Sequence, residues 1–433
     1  MAFEKQFLIA DHDAVVPEHW VRHRYGPWVL HVAPDLPVTP LQEGEVRLGW
    51  AVEHLGRQAL LRFSGDAFEF QLDDCGFLAA VFSPAQRTLC STTGLLQAKD
   101  GFRYDIPQED HWYPFGLTGK QGIHRLLPNH VLDSTSFTAR RVQNPTLQPT
   151  GDDAELAQQI ADRLRTNVEL ICRHAKAEIN LTAGRDSRMI LAAARAVAPD
   201  VSFVTTRLPT FGAKIDCELA GRIAGRFGLR HTIRPFLNPR PDDLAAWQRD
   251  TGACVAGQTW KAVTTSRHAP PDVVRVSGLC GEIARGFYWE PGDREVPAVP
   301  ELLRRMHLPV AGPVVAAGEA WLQTTEGTVE QVLDLAYIEQ RLGCWAGPAF
   351  YGHHHHLCTF SPFNDTVLIR WMQQLSPAYR QAERLAEDVI RRLWPELLEF
   401  PFNPVPPAGP LRRCYRRART ALRAALKPFA PRA

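Results

Sequence analysis

The chain has 433 residues, 45% hydrophobic and 22% charged, with a formal net charge of +2. It is too long for one ordinary domain, and its charge balance gives no firm nucleic-acid signal. The nine cysteines are scattered without a C-x-x-C pair, which disfavours a zinc ribbon or redox motif and fits a reducing cytoplasm. The opening "MAFEKQFLIADHDA" carries acids and no long apolar core, so no signal peptide is expected, and no stretch approaches the roughly 20 apolar residues of a spanning helix.

From Gln42 to about Arg141 the text reads as short strands. "EVRLGWAVEHL", "QALLRFSGDAFEFQL" and "FLAAVFSPAQRTLCS" alternate or run apolar between Gly, Ser, Asp and Pro. Gln143 to Asp153 is a Pro- and Gly-punctuated linker. Ala154 to Ala177 has helical periodicity, with Leu156, Ile160, Leu164, Val168, Leu170 and Ile171 along one face. "EINLTA" predicts a strand and Ser187 to Val197 a helix; "VSFVTT" predicts a strand and Lys214 to Phe227 a helix. "RHTIRPF" and "DVVRVSG" predict further strands, and the chain from about Pro300 reads as mostly helical. Strands alternating with helices predict an α/β fold with a parallel sheet, preceded by a mostly β part and followed by a helical one.

Between the first predicted strand and helix of that sheet lies "LTAGRDSR", Leu181 to Arg188. Parallel sheets bind ligands at the carboxyl ends of their strands, and helix N-termini suit phosphate. Ala183 and Gly184 let a ligand approach the backbone, and Ser187 can donate a hydrogen bond. Asp186 would repel phosphate unless a cation stands between them, and Mg²⁺ is usually held by one or two carboxylates plus phosphate oxygens. The turn therefore predicts a nucleotide phosphate with Mg²⁺. Helix capping by Asp186 or Ser187 is the plainer alternative. The spacing is not GxxxxGK[ST] or GxGxxG.

"LTAGRDSR" resembles the S-G-G-x-D-S pyrophosphate loop of asparagine synthetases. "KIDCELAGRIAGRFGLRH" is similar to the helix after that family's second strand. "VRVSGLCGEIARGFY" resembles its S-G-x-G-x-D-E-x-x-x-G-Y motif through Ser277, Gly278, Glu282, Gly286 and Tyr288. "SPFNDTVLIRWMQQLSP" resembles its P-F-L-D helix through Pro362, Phe363 and Asp365, and "GIHRLLPNHVL" resembles the end of its glutamine amidotransferase domain. The resemblance implies an ATP pyrophosphatase (adenine nucleotide α-hydrolase-like) fold over 154–410 and an amidotransferase-like domain over 1–142; residues 411–433 stand apart from both. It implies that Thr182, Ala183, Gly184, Arg185 and Ser187 hold ATP phosphates, that Asp186 and Glu282 bind Mg²⁺, and that Arg188, with Arg207, neutralises phosphate; the alternative for Arg188 is a helix-surface residue. Val204 and Thr205 would flank the adenine, and Ser277 and Gly278 the α-phosphate or ribose. The implied reaction adenylates a substrate carboxylate, releases pyrophosphate and passes the acyl group to ammonia or an amine.

Departures refine these expectations. No cysteine precedes Cys75, and the family's R-G-P-D and N-G-E motifs are missing, so no glutaminase activity is expected. The lysine that follows the P-F-L-D helix in asparagine-synthetase-like enzymes has no counterpart before Lys427, and Lys214 and Lys261 are the substitutes considered. The competing expectations are a catalytically degenerate nucleotide-binding scaffold and a sulfur-transfer or tRNA-modifying enzyme of the same fold. His353 to His356 are expected to form a loop, since adjacent side chains diverge and no zinc spacing surrounds them. From Leu411 onward eight Lys/Arg and no acid predict a basic amphipathic helix, either docked on its own domain or facing an anionic surface or partner.

Overall fold

The computed structural model describes residues 3–103, 111–142, 149, 151–256, 269–353 and 357–404. The expected basic helix, Lys261, Lys427, His354, His355, His356 and most of the Gln143–Asp153 linker lie outside them.

The N-terminal part is two six-stranded antiparallel sheets. One runs in the order His124–Leu126, Ala80–Ser83, Thr88–Cys90, Phe7–Ala10, Trp28–Val32, Val21–Tyr25. The other runs Thr138–Arg141, His130–Asp133, Ala67–Leu72, Leu55–Ser64, Glu45–Val52, Val38–Gln42. In Ala67–Leu72 the alternate residues Phe68, Phe70 and Leu72 are buried, as a strand with one core face requires. Phe70 stacks on Phe7 at 5.5 Å, and Phe68 meets Trp28 edge-on at 4.9 Å, so aromatic pairs join one sheet to the other.

The second part is built on a five-stranded parallel sheet. Its order is His231–Pro235, Ser202–Arg207, Ala177–Asn180, Val274–Val276, Cys358–Phe360. The first strand in sequence, Ala177–Asn180, lies in the middle; the next two extend to one side and the last two to the other. The order in which strands are added thus reverses between Ala177–Asn180 and Val274–Val276, and the carboxyl ends of those strands mark the place where open α/β sheets form a ligand crevice.

The helix Asp153–His174 stops short of the expected Ala177, because Ala175 is already extended and Ala177 starts the central strand. Arg185–Ala193 and Phe211–Phe227 match the other expected helices with shifted ends. Cys358–Phe360 falls in the region expected to be mostly helical. Three residues carry no readable periodicity, and the strand forms because Val274–Val276 offers it a pairing edge.

The two parts share one core. Asn364 Nδ2 donates to the Gly56 carbonyl at 3.1 Å and to Asp73 Oδ1 at 3.0 Å, and the Tyr351 hydroxyl donates to the Ala79 carbonyl at 2.8 Å. Arg57, buried in the sandwich, lies 4.5 Å from the Tyr351 ring. The contact is close-packed: a Cβ on Gly347 would come within 2.2 Å of the Gly76 carbonyl oxygen. A π-helical segment, Ala336–Ala346, runs between the two parts, with Gln340 Oε1 accepting from the Phe115 backbone N–H of the N-terminal part. No helix among the described residues is long and apolar enough to cross a membrane.

Candidate functional site

The turn after Asn180 is closed by its own hydroxyls. Thr182 Oγ1 and Ser187 Oγ lie 2.8 Å apart, the Gly184 N–H donates to Thr182 Oγ1 at 3.1 Å, and the Thr182 N–H donates to Ser187 Oγ at 3.2 Å. These bonds fix the turn and start the helix Arg185–Ala193 with Gly184 as its N-cap, without a side-chain cap. The first N–H groups of a helix have no partner within it, so this end offers donors to an anion. Neither Asp186 nor Ser187 is the N-cap, so the plain capping alternative does not describe the turn.

Two partners of the turn were not visible in its local sequence. Asp216, on the helix Phe211–Phe227, accepts the Ala183 N–H at 2.8 Å, and the Asn403 N–H donates to the Ala183 carbonyl at 3.0 Å. Burial pushes the Asp216 carboxyl up from its ordinary value, against that bond.

The second segment, Ser277 to Tyr288, leaves the neighbouring strand and packs directly on the turn. A Cβ on Gly278 would lie 2.8 Å from Asp186 Cβ, and one on Gly281 would lie 2.7 Å from Asp186 Oδ1. Only glycine permits this approach. Ser277 is buried, its N–H donating to the Phe360 carbonyl at 2.9 Å. Asp186 and Glu282, nearly 100 residues apart in sequence, are thereby brought to one place.

Arg285 joins them. Its Nη1 and Nη2 donate to the two Asp186 carboxylate oxygens at 2.6 and 2.9 Å, and its Nη2 lies 3.7 Å from Glu282 Oε1. The Tyr337 hydroxyl donates to Glu282 Oε2 at 2.8 Å. Burial, and next the negative charge of Asp186, push the Glu282 carboxyl above its ordinary value, with Arg285 opposing them. Arg285 and Glu383 line an open cleft of about 530 Å³ together with Phe287, Trp289 and Gln381. Arg185 reaches the same rim through Glu383, at 2.9 Å.

Other expected residues sit differently. Arg188 is neither on the helix surface nor free to neutralise phosphate: it is fully buried, 3.6 Å from the Phe402 ring centroid, and donates to the Phe400 carbonyl at 2.7 Å. Burial brings its guanidinium down to about 10. It clamps the returning chain over the turn. Val204 and Thr205 are buried within the sheet, and the Thr205 hydroxyl donates to the Leu181 carbonyl at 2.6 Å. Lys214 is exposed and pairs with Glu218 at 3.9 Å. Asp365 caps the helix Thr366–Gln374, accepting from the Val367 and Leu368 N–H groups, and binds Arg163 and Asn167. Its role is to anchor that helix. His353 packs beside Trp247 and Phe350.

Arg285 and Tyr337 were missed by sequence reading. Arg285 occupies a position the resembling motif leaves variable, and its only signal was a cation inside a short glycine-bounded turn.

No protein-family model matches the sequence, and no curated protein matches it.

Proposed function

We propose that the protein is an ATP-dependent amide-forming ligase of asparagine-synthetase type. It adenylates a substrate carboxylate, releases pyrophosphate, and passes the acyl group to ammonia or an amine. The observation that carries the reading is the meeting of two segments at the crevice of the parallel sheet: the hydroxyl-closed turn at Gly184 and the glycine-lined segment that packs on Asp186. The open N–H groups at the start of Arg185–Ala193 bind the polyphosphate, which reaches the cleft beside Arg285, and the carboxylate substrate joins it in that cleft. Catalysis in such a site is positioning and charge neutralisation. The finer fold assignment, an ATP pyrophosphatase domain behind an amidotransferase-like sandwich, belongs to the same proposal and is supported by the crevice at the reversal of strand order. The reading includes no glutaminase step, and ammonia or the amine comes from solution.

The expected Mg²⁺ meets a donor set that is already engaged. Arg285 takes both Asp186 oxygens, and Tyr337 takes one oxygen of Glu282. Among the described residues no group of three or more His, Cys, Asp or Glu side chains is placed to hold a metal ion. The side chains as arranged do not fit the ion, and no step is routed through it.

A substrate screen that follows AMP and pyrophosphate by mass spectrometry, with and without glutamine, tests the proposal. Carboxylate-dependent release of both products is expected, without stimulation by glutamine, and Asp186→Ala abolishes it. Release that persists unchanged in Asp186→Ala overturns the placement of the site. The engaged carboxylates also favour a second reading, a nucleotide-binding scaffold without chemistry; it predicts ATP binding with no AMP from any carboxylate.

A further inference from the structure

We infer that Arg285 takes the place of a divalent cation in this site, so that polyphosphate binds without added metal; the inference rests on the nucleotide reading above. The chemical problem is an acid on a phosphate turn. A cation between carboxylate and phosphate removes their repulsion, and here a guanidinium already stands against the carboxylate.

Its geometry is that of a bridging cation. One guanidinium makes parallel bonds of 2.6 and 2.9 Å to Asp186 and approaches Glu282 to 3.7 Å. A bidentate pair of this kind is among the stronger polar contacts in proteins. Asp186 cannot easily turn away from it, because Gly278 and Gly281 press against its side chain so closely that even a methyl group on either would clash. Glu282 is held in turn by the Tyr337 hydroxyl. Mg²⁺ demands near-octahedral oxygen ligands at about 2.0–2.1 Å and gives up water reluctantly. To bind here it would first have to break a largely buried ion pair.

Arg285 also faces the ligand space. It lines the cleft of about 530 Å³ together with Glu383, which holds Arg185 at 2.9 Å. A guanidinium carries five N–H donors in a planar fork that matches phosphate oxygens. Two of its bonds go to Asp186, and others remain for a phosphate at the turn. Asp186 is therefore a positioning residue that holds Arg285 at the mouth of the turn, and the acid that looked misplaced beside phosphate orients the cation that binds it.

Calorimetric titration of the full chain with ATP and with inorganic pyrophosphate, in EDTA and in excess Mg²⁺, tests this. Wild-type dissociation constants are expected to agree within about threefold between the two media, and Arg285→Met is expected to weaken binding in EDTA by at least about tenfold. Mg²⁺ should recover part of that loss, because the variant frees both carboxylates. Wild-type binding that weakens about tenfold or more in EDTA overturns the role of Arg285 and leaves the nucleotide reading standing. Arg285→Met that binds as wild type in EDTA does the same. Absence of ATP and pyrophosphate binding in both media overturns both. If Arg285→Met does not fold, the wild-type comparison decides alone.

Discussion

Cys75 and Cys280 face each other with 3.3 Å between their sulfur atoms, both fully buried, one from the antiparallel sandwich and one from the segment that carries Glu282 and Arg285. Cys280 has a φ of +75°, uncommon for a residue with a side chain, and it opens the short 3-10 turn Gly281–Arg285. The N-terminal part is thus packed sulfur against sulfur on the base of the candidate site. Burial pushes both thiols above their ordinary value, so they should oxidise slowly. Treatment with diamide followed by peptide mass spectrometry should yield a Cys75–Cys280 cross-linked peptide, absent in Cys75→Ser. Cross-links that join Cys75 only to other cysteines would refute this packing.

Asp365 gathers three partners from two regions of the chain: Arg163 Nε at 2.7 Å, Asn167 Nδ2 at 2.9 Å and His54 Nε2 at 3.0 Å. Burial alone would raise its carboxyl, but the hydrogen bonds from Arg163 and Asn167 outweigh it and hold the carboxyl below its ordinary value. A carboxyl lowered on folding stabilises the protein above its unfolded-state value, and the contribution is lost as pH falls through the folded-state value. Denaturant unfolding between neutral pH and pH 3 should show this acid-side loss, and Asp365→Asn should flatten it. Asp365→Ala should cost about 2 kcal/mol at neutral pH, because it uncaps a helix and removes an acceptor from the buried Asn167 amide. An equal acid slope in Asp365→Asn and wild type would count against it.

Arg188 ties Phe400 and Phe402 over the turn through a carbonyl and an aromatic face. Arg188→Ala should lower stability by about 2–4 kcal/mol, since it empties a fully buried volume and leaves the Phe400 carbonyl without its donor. Arg188→Lys should recover little, because an ammonium cannot stack as a guanidinium does. Thermal unfolding measures both. Variants as stable as wild type would remove Arg188 from the scaffold of the site.

The glycines of the second segment should be as sensitive as the charged residues. Gly281→Ala places a methyl 2.7 Å from Asp186 Oδ1, so the carboxylate has to move, which disturbs its pair with Arg285. ATP affinity measured by calorimetry should fall by about tenfold or more. Unchanged affinity in a folded Gly281→Ala would mean that the packing of this segment on the turn does not matter for binding.

The alternating pattern of strand and helix from Asp153 onward was legible because each central strand is buried on both faces and each flanking helix has one apolar stripe. Phe203 and Val204 in a strand, and Ile160, Leu164 and Val168 on a helix, carry that signal directly. The turn at Gly184 was legible because its position between strand and helix dictates what it can present. Cys358–Phe360 was hidden, since a three-residue edge strand owes its form to the neighbour it pairs with. The same reason hid Arg285, Tyr337 and Asp216. Each acts on the turn from another element, and only the fold brings them within hydrogen-bond distance. Arg188 was misplaced for the converse reason: position in a phosphate-loop motif suggested exposure, while Phe402 and the Phe400 carbonyl, more than 200 residues away, bury it.

The central claim is that the turn from Thr182 to Ser187 binds the polyphosphate of a nucleotide. The most direct measurement is calorimetric titration of ATP into the wild-type chain and into Gly184→Leu. A Cβ at Gly184 meets only Thr182 Oγ1 at 3.2 Å and Asn403 Oδ1 at 3.8 Å, so the fold should accommodate the substitution while its side chain fills the mouth of the turn. The expected result is one ATP site per wild-type chain and a loss of at least about tenfold in affinity in a folded Gly184→Leu. Equal ATP binding by the two proteins, or none by wild type, would contradict the claim.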